Sequence, residues 1–110
     1  MSGVSIHAVD VAAGRPAVGL RVEIYRVEDD PVLLAEGRLA ASGALDHPIT
    51  RTRLDPGLHE VVLYIGEFLG SAGTGFLEDA PFRFRVTNPD EHIHLPLKFT
   101  GWGYSLFRGS

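Results

Sequence analysis

The 110-residue sequence contains no cysteine, and only one lysine, one methionine and one tryptophan. Each shortage excludes something. Without cysteine there is no disulfide, no thiolate nucleophile and no thiolate metal ligand. Lys98 is the only lysine, so nine of the ten basic residues are arginine, which favours fixed bidentate contacts over loosely solvated charge. Acidic residues outnumber basic ones 14 to 10, for a formal net charge of −4, so attraction to a phosphate backbone is absent and no nucleic-acid partner is expected. No stretch approaches the roughly 20 apolar residues of a spanning helix, so no membrane partner is expected either. Met1-Ser2-Gly3 leads straight into alternating residues, without the basic start and apolar run of a signal peptide. The expected location is therefore cytoplasmic.

What is present is the balance of a folded domain. The apolar set makes up 45% of the chain and the charged set 22%, far from the composition of a disordered segment. Residues 1–110 have room for one core and are expected to form a single domain. A chain of this size buries somewhat under about 70% of its unfolded surface, so self-association is a natural source of further burial.

Thirteen glycines and seven prolines fall between short alternating runs, as turns fall between strands. Val4–Val9 reads as a first strand, ending at the turn-like Ala13–Pro16; Leu20–Val27 reads as a second. After Asp29-Asp30-Pro31, a third strand is expected over Leu33–Ala40, followed by the loop Ala41–Pro48 and a short strand near Ile49–Arg53. Asp55-Pro56-Gly57 signals a turn, and Gly57–Ile65 is the expected central strand. Glu67–Gly73 is expected to make one or two helical turns, limited by Gly70, Gly73 and Gly75. Phe82–Val86 alternates apolar residues with arginine, and Tyr104–Arg108 makes a last strand after Gly101-Trp102-Gly103.

The cleanest period of two lies between them. Ile93, Leu95, Leu97 and Phe99 share one face, and His92, His94, Pro96 and Lys98 share the other. Seven or eight strands with one short helix point to an antiparallel sandwich or barrel.

His92 and His94 place two imidazoles on one strand face, a spacing that suits a metal only if a third ligand comes from elsewhere. The plain alternative is a pair of hydrogen-bonded histidines. His7 is out of phase with Val4, Ile6 and Ala8, so it joins the same polar face if the first strand runs beside the His92–His94 strand. No G-x-S-x-G elbow surrounds Ser5, Ser42, Ser105 or Ser110, and no phosphate loop is present. The aromatic end Trp102–Ser110 differs from an ordinary fraying terminus and is expected to line an interface or a site.

Three segments together resemble the 5-hydroxyisourate hydrolases, the enzymatic members of the transthyretin fold family. They are SIHAVDVAAGRPA (Ser5–Ala17), HIHLPL (His92–Leu97) and GYSLFRGS (Gly103–Ser110). The resemblance implies a transthyretin-like antiparallel β-sandwich that assembles as a homotetramer, a dimer of dimers, with sites in a channel between dimers. It implies a hydrolase that opens the ring amide of 5-hydroxyisourate in purine breakdown, with no cofactor and no metal. Carried over by position, the catalytic set is His7, His94, Arg108 and Ser110. Ala44, His92, Phe107 and Gly109 are the implied substrate contacts.

This chain departs from the family pattern twice. Gly43-Ala44 stands where the family has Gly-Arg, and Phe107 where it has Tyr. The first change removes a cation with up to five donors, the second a hydroxyl. Arg51 and Arg53 are the candidates to replace the lost cation. Three readings follow: a hydrolase of 5-hydroxyisourate, a paralogue retuned for another cyclic amide or imide, and a non-catalytic small-molecule binder.

Overall fold

A computed structural model describes residues 2–109; Met1 and the expected site residue Ser110 lie outside the described residues. Among these described residues eight strands form two sheets of four. The first sheet has the order β2 (Arg15–Pro16), β1 (Val4–Asp10), β7 (Ile93–Thr100), β8 (Gly103–Leu106). The second has the order β4 (Val32–Arg38), β3 (Arg21–Arg26), β5 (Gly57–Leu63), β6 (Ala80–Val86).

Alternation decides which side of each sheet faces inward. Val4, Ile6 and Ala8 of β1 and Ile93, Leu95, Leu97 and Phe99 of β7 are buried against Val22 and Ile24 of β3 and Val61 and Leu63 of β5. The same period turns Ser5, His7, His94 and Pro96 to the outer face of the first sheet. β5 lies between β3 and β6, as its run of strand formers predicts.

The sandwich is not wholly antiparallel. β1 and β7 pair in parallel, with Ser5 opposite His94 and His7 opposite Pro96. Parallel neighbours need a long crossover between them, and here the entire second sheet is interposed in the sequence. Local alternation carries no sign of strand direction, which is why the sequence reading missed it.

Three local expectations are corrected. Ile49–Arg53 is not a strand: Pro48–Arg51 forms a 3-10 turn, capped by His47, whose Nδ1 accepts from the Ile49 amide at 3.0 Å. Pro48 sits at the start, where its missing N–H costs nothing. The helix α1 covers Ile65–Leu69, beginning earlier than expected, because Ile65 is fully buried and anchors it. A 3-10 turn, Gly70–Ala72, follows it. Finally, Arg15–Pro16 is a two-residue edge strand rather than part of a turn, a position where proline is tolerated.

The end of the third-strand loop also joins the first sheet. The Ala8 amide donates to the Gly43 carbonyl at 3.0 Å, and the Leu45 amide donates to the Ile6 carbonyl at 3.0 Å. Ala44 is thereby fixed beside His7 as an isolated bridge partner.

Candidate active site

The outer face of the first sheet gathers three of the five histidines. Parallel register puts His94 directly across from Ser5 and one pleat from His7. His7 is anchored by its loop: its Nε2–H donates to the Ser42 carbonyl at 2.9 Å. Gly43, at φ +85°, shapes that loop, and a Cβ there would lie 2.9 Å from the Ala8 carbonyl oxygen and 3.1 Å from His7 Nε2. Only glycine combines this left-handed backbone with so close an approach.

His94 is half-buried, and its Nδ1 lies 2.7 Å from Ser5 Oγ. Among the described residues no hydrogen bond engages its Nε2. Desolvation, followed by repulsion from His7 and then His92, holds the His94 imidazole below its ordinary value of 6.5. The neutral ring is therefore favoured, as a general base requires.

His92 is occupied at both nitrogens. Nδ1 lies 2.8 Å from the Ser2 carbonyl oxygen, and Nε2 lies 2.8 Å from Ser5 Oγ. It has no ring nitrogen left for a substrate and instead connects to His94 through Ser5.

The tail returns to this face. After β8, Gly109 bridges to β7, its amide donating to the His94 carbonyl at 2.7 Å. Phe107 and Arg108 are exposed. The Arg108 guanidinium points to the strand start, 3.5 Å from the His92 carbonyl oxygen and 3.9 Å from a Glu91 carboxylate oxygen. Arg53 pairs with Asp90 at 3.1 Å and, among the described residues, makes no hydrogen bond to His7 or His94. Arg51 is exposed at the end of its 3-10 turn.

A depression of about 380 Å³ lies on the second sheet, lined by Tyr25, Glu60, Tyr64 and Arg83 among others, and one of about 370 Å³ lies beside Asp10, Arg15 and Phe68. Neither is lined by a histidine. Among the described residues no group of three or more His, Asp and Glu side chains is placed to hold a metal ion, and no helix is long and apolar enough to cross a membrane.

Ser5 is the residue that sequence reasoning missed. No nucleophile elbow surrounds its hydroxyl, yet it shares the phase of His7, and the parallel register places it between two imidazoles. The phase was visible in the sequence and the register was not.

An eight-stranded sandwich with three imidazoles on the outer face of one sheet and a tail that bridges back to it defines a transthyretin-like protein. The chain belongs to the HIUase/transthyretin family, whose model matches residues 4–109. It is 37% identical to 5-hydroxyisourate hydrolase 2 of Rhizobium meliloti, over 94% of this chain and 92% of that one. The solved 5-hydroxyisourate hydrolase of Klebsiella pneumoniae overlays with a TM-score of 0.85 at 28% identity, with all of both chains covered. Sea bream transthyretin, solved with thyroxine, shares the fold: TM-score 0.86 at 20% identity, covering 97% of this chain and 94% of that one.

Proposed function

We propose that this protein hydrolyses 5-hydroxyisourate, opening its ring amide in purine breakdown. The observation that carries this reading is the placement of His7 and His94 on one sheet face with the tail held beside His94 by the Gly109–His94 bridge, together with full-length relatives named for that activity.

The chemistry follows from the groups at hand. His94, with Nδ1 engaged by Ser5, takes a proton from water through Nε2 as the water oxygen attacks the ring carbonyl. The tetrahedral intermediate carries an oxyanion, for which Arg108 and backbone amides of the tail are the donors. Its collapse breaks the ring C–N bond. The imidazolium returns the proton to the leaving nitrogen, and a carboxylate remains. His7, steadied by the Ser42 carbonyl, offers its other ring nitrogen to orient the water or the substrate.

The reading includes a homotetramer with the histidine face in a channel between dimers. Supporting it, Val11, Val18, Trp102, Tyr104 and Phe107 are large apolar side chains left exposed on segments of the first sheet and its flanking turns. Enclosure would also dry the site and strengthen its electrostatics.

A retuned specificity is the second reading, favoured by one observation: the backbone partner of His7 is Ala44, which brings no cation to the site. Freshly generated 5-hydroxyisourate, followed by its ultraviolet decay, separates the two. Decay well above the spontaneous rate supports the first reading; decay at the spontaneous rate rejects it. If a ligand then binds tightly without product, the channel is a binding site only.

A further inference from the structure

We propose that Ser5 and His92 together act as positioning residues that fix the tautomer of His94, leaving the lone pair of His94 Nε2 directed to the substrate. This deepens the hydrolase reading and rests on it for its catalytic consequence, although the tautomer itself does not depend on any substrate.

The argument runs along a chain of hydrogen bonds that begins at a group of fixed polarity. A carbonyl oxygen only accepts. His92 Nδ1, 2.8 Å from the Ser2 carbonyl oxygen, must therefore be the N–H. Neutral imidazole carries one such hydrogen, so His92 Nε2 is a lone pair. Its neighbour at 2.8 Å is Ser5 Oγ, whose single hydrogen must then be donated to it. With that hydrogen spent, Ser5 Oγ can only accept at its other contact. The other contact is His94 Nδ1 at 2.7 Å, which must be the donor. A neutral His94 protonated on Nδ1 is bare on Nε2. The direction of every bond is thus set from Ser2 outwards, and His94 reaches the substrate as a base rather than as a donor.

Sequence and fold each contribute a condition. Ser5 and His7 share a face of β1 by the period of two, and His92, just before β7, lies two residues from His94 within it. Only the parallel pairing of Ser5 with His94 inserts the hydroxyl between the two rings. A side chain without a hydroxyl at position 5 breaks the chain, whatever its size.

This role differs from simple support. Serine makes no contact with substrate in it, and an alanine at position 5 retains the strand while removing the polarity. His92, implied by resemblance to touch substrate, acts here through Ser5.

The test is long-range proton–nitrogen correlation spectroscopy on histidine-labelled protein without substrate, at a pH where the imidazoles are neutral. Wild-type His94 is expected to show protonated Nδ1 and bare Nε2. In Ser5→Ala that preference is lost and an Nε2–H form appears. In Ser5→Thr, which keeps the hydroxyl, it is retained. In His92→Phe the Ser5 hydroxyl has no other ring nitrogen to serve, turns to donate to His94 Nδ1, and the Nε2–H form dominates. Ring-opening kinetics should follow: kcat falls about tenfold or more in Ser5→Ala with KM changed less than about twofold, and Ser5→Thr recovers it. Wild-type His94 protonated on Nε2, or a Ser5→Ala spectrum identical to wild type, overturns the proposal. The expected spectra with no turnover of 5-hydroxyisourate by the wild type would uphold the relay and reject the hydrolase reading.

Discussion

The amide of Gly109 donates to the carbonyl of His94 at 2.7 Å, so the tail hangs from the same residue whose ring faces the site. Any disturbance of the tail is transmitted to the imidazole, and the reverse also holds. A Cβ at position 109 would stand 3.0 Å from His94 Cδ2 and 3.2 Å from Pro96 Cδ.

Gly109→Ala should therefore displace either the ring or the tail. A misplacement approaching 1 Å can cost about 100-fold in rate, and a loss of about 10- to 100-fold in kcat is expected here. Because the site is peripheral to the core, thermal unfolding should shift little. Paired steady-state kinetics and calorimetry check both halves.

Restoring the two departures from the family pattern should raise activity. Ala44→Arg adds a cation and donors beside His7, and Phe107→Tyr adds a hydroxyl near the tail. The double variant is expected to hydrolyse 5-hydroxyisourate at least about tenfold faster than wild type, a typical scale for gained electrostatic stabilisation. An unchanged decay rate would place the family arginine elsewhere in this chain.

The pH profile of kcat/KM should reflect the base. Burial, with help from His7 and His92, lowers the His94 value from 6.5, so its neutral form persists to lower pH than that of an ordinary imidazole. Activity is expected to hold as pH falls through 6.5 and to be lost only as it passes the lowered value. His94→Ala should abolish the dependence together with the activity.

Stability should have its own acid-side slope, to which the buried His59 and the half-buried His94 both contribute. The His59 ring is fully buried on the inner face of β5, stacked on Phe84 at a centroid distance of 5.7 Å. Its Nδ1–H donates to the Gly57 carbonyl at 3.0 Å, while Nε2 has no partner among the described residues. Desolvation lowers its value from 6.5. Above 6.5 both folded and unfolded states are neutral and nothing is lost. As pH falls below 6.5 the unfolded chain takes up the proton and the folded chain resists, so stability declines until the folded ring also titrates. Each unit between the two values corresponds to about 1.4 kcal/mol. Urea midpoints measured stepwise through this window should fall in wild type, and His59→Leu should make the slope shallower, leaving the part that His94 contributes.

Assembly is testable without substrate. Light scattering should give four times the chain mass of 11.9 kDa. Trp102, 68% exposed and 5.8 Å from the Phe76 ring, forms part of an apolar patch. Trp102→Glu puts a charge there and should reduce the observed mass. A monomeric wild type would remove the interfacial channel from the proposed function.

Much of the fold was legible because β-strands write burial into every second residue. The alternation of Ile93, Leu95, Leu97 and Phe99 against His92, His94 and Pro96 needed no partner strand to be read, and the turn signal before β5 was equally local. Ile49 was misread because one buried residue beside a proline carries no period. The start of α1 was misplaced because the anchor, Ile65, looks like the end of the preceding strand until the core around it is known.

The sequence by itself determined which residues face inward, where turns fall, and that no thiol takes part in any chemistry of a cysteine-free chain. Those are consequences of side-chain type and local period. Tertiary structure alone decided that β1 runs parallel to β7, that Ser5 stands between His92 and His94, and that Ala44 and Gly109 close on the histidines from opposite directions. Strand partners some 90 positions apart are chosen by the shared burial of two faces, and no short window of sequence records that choice.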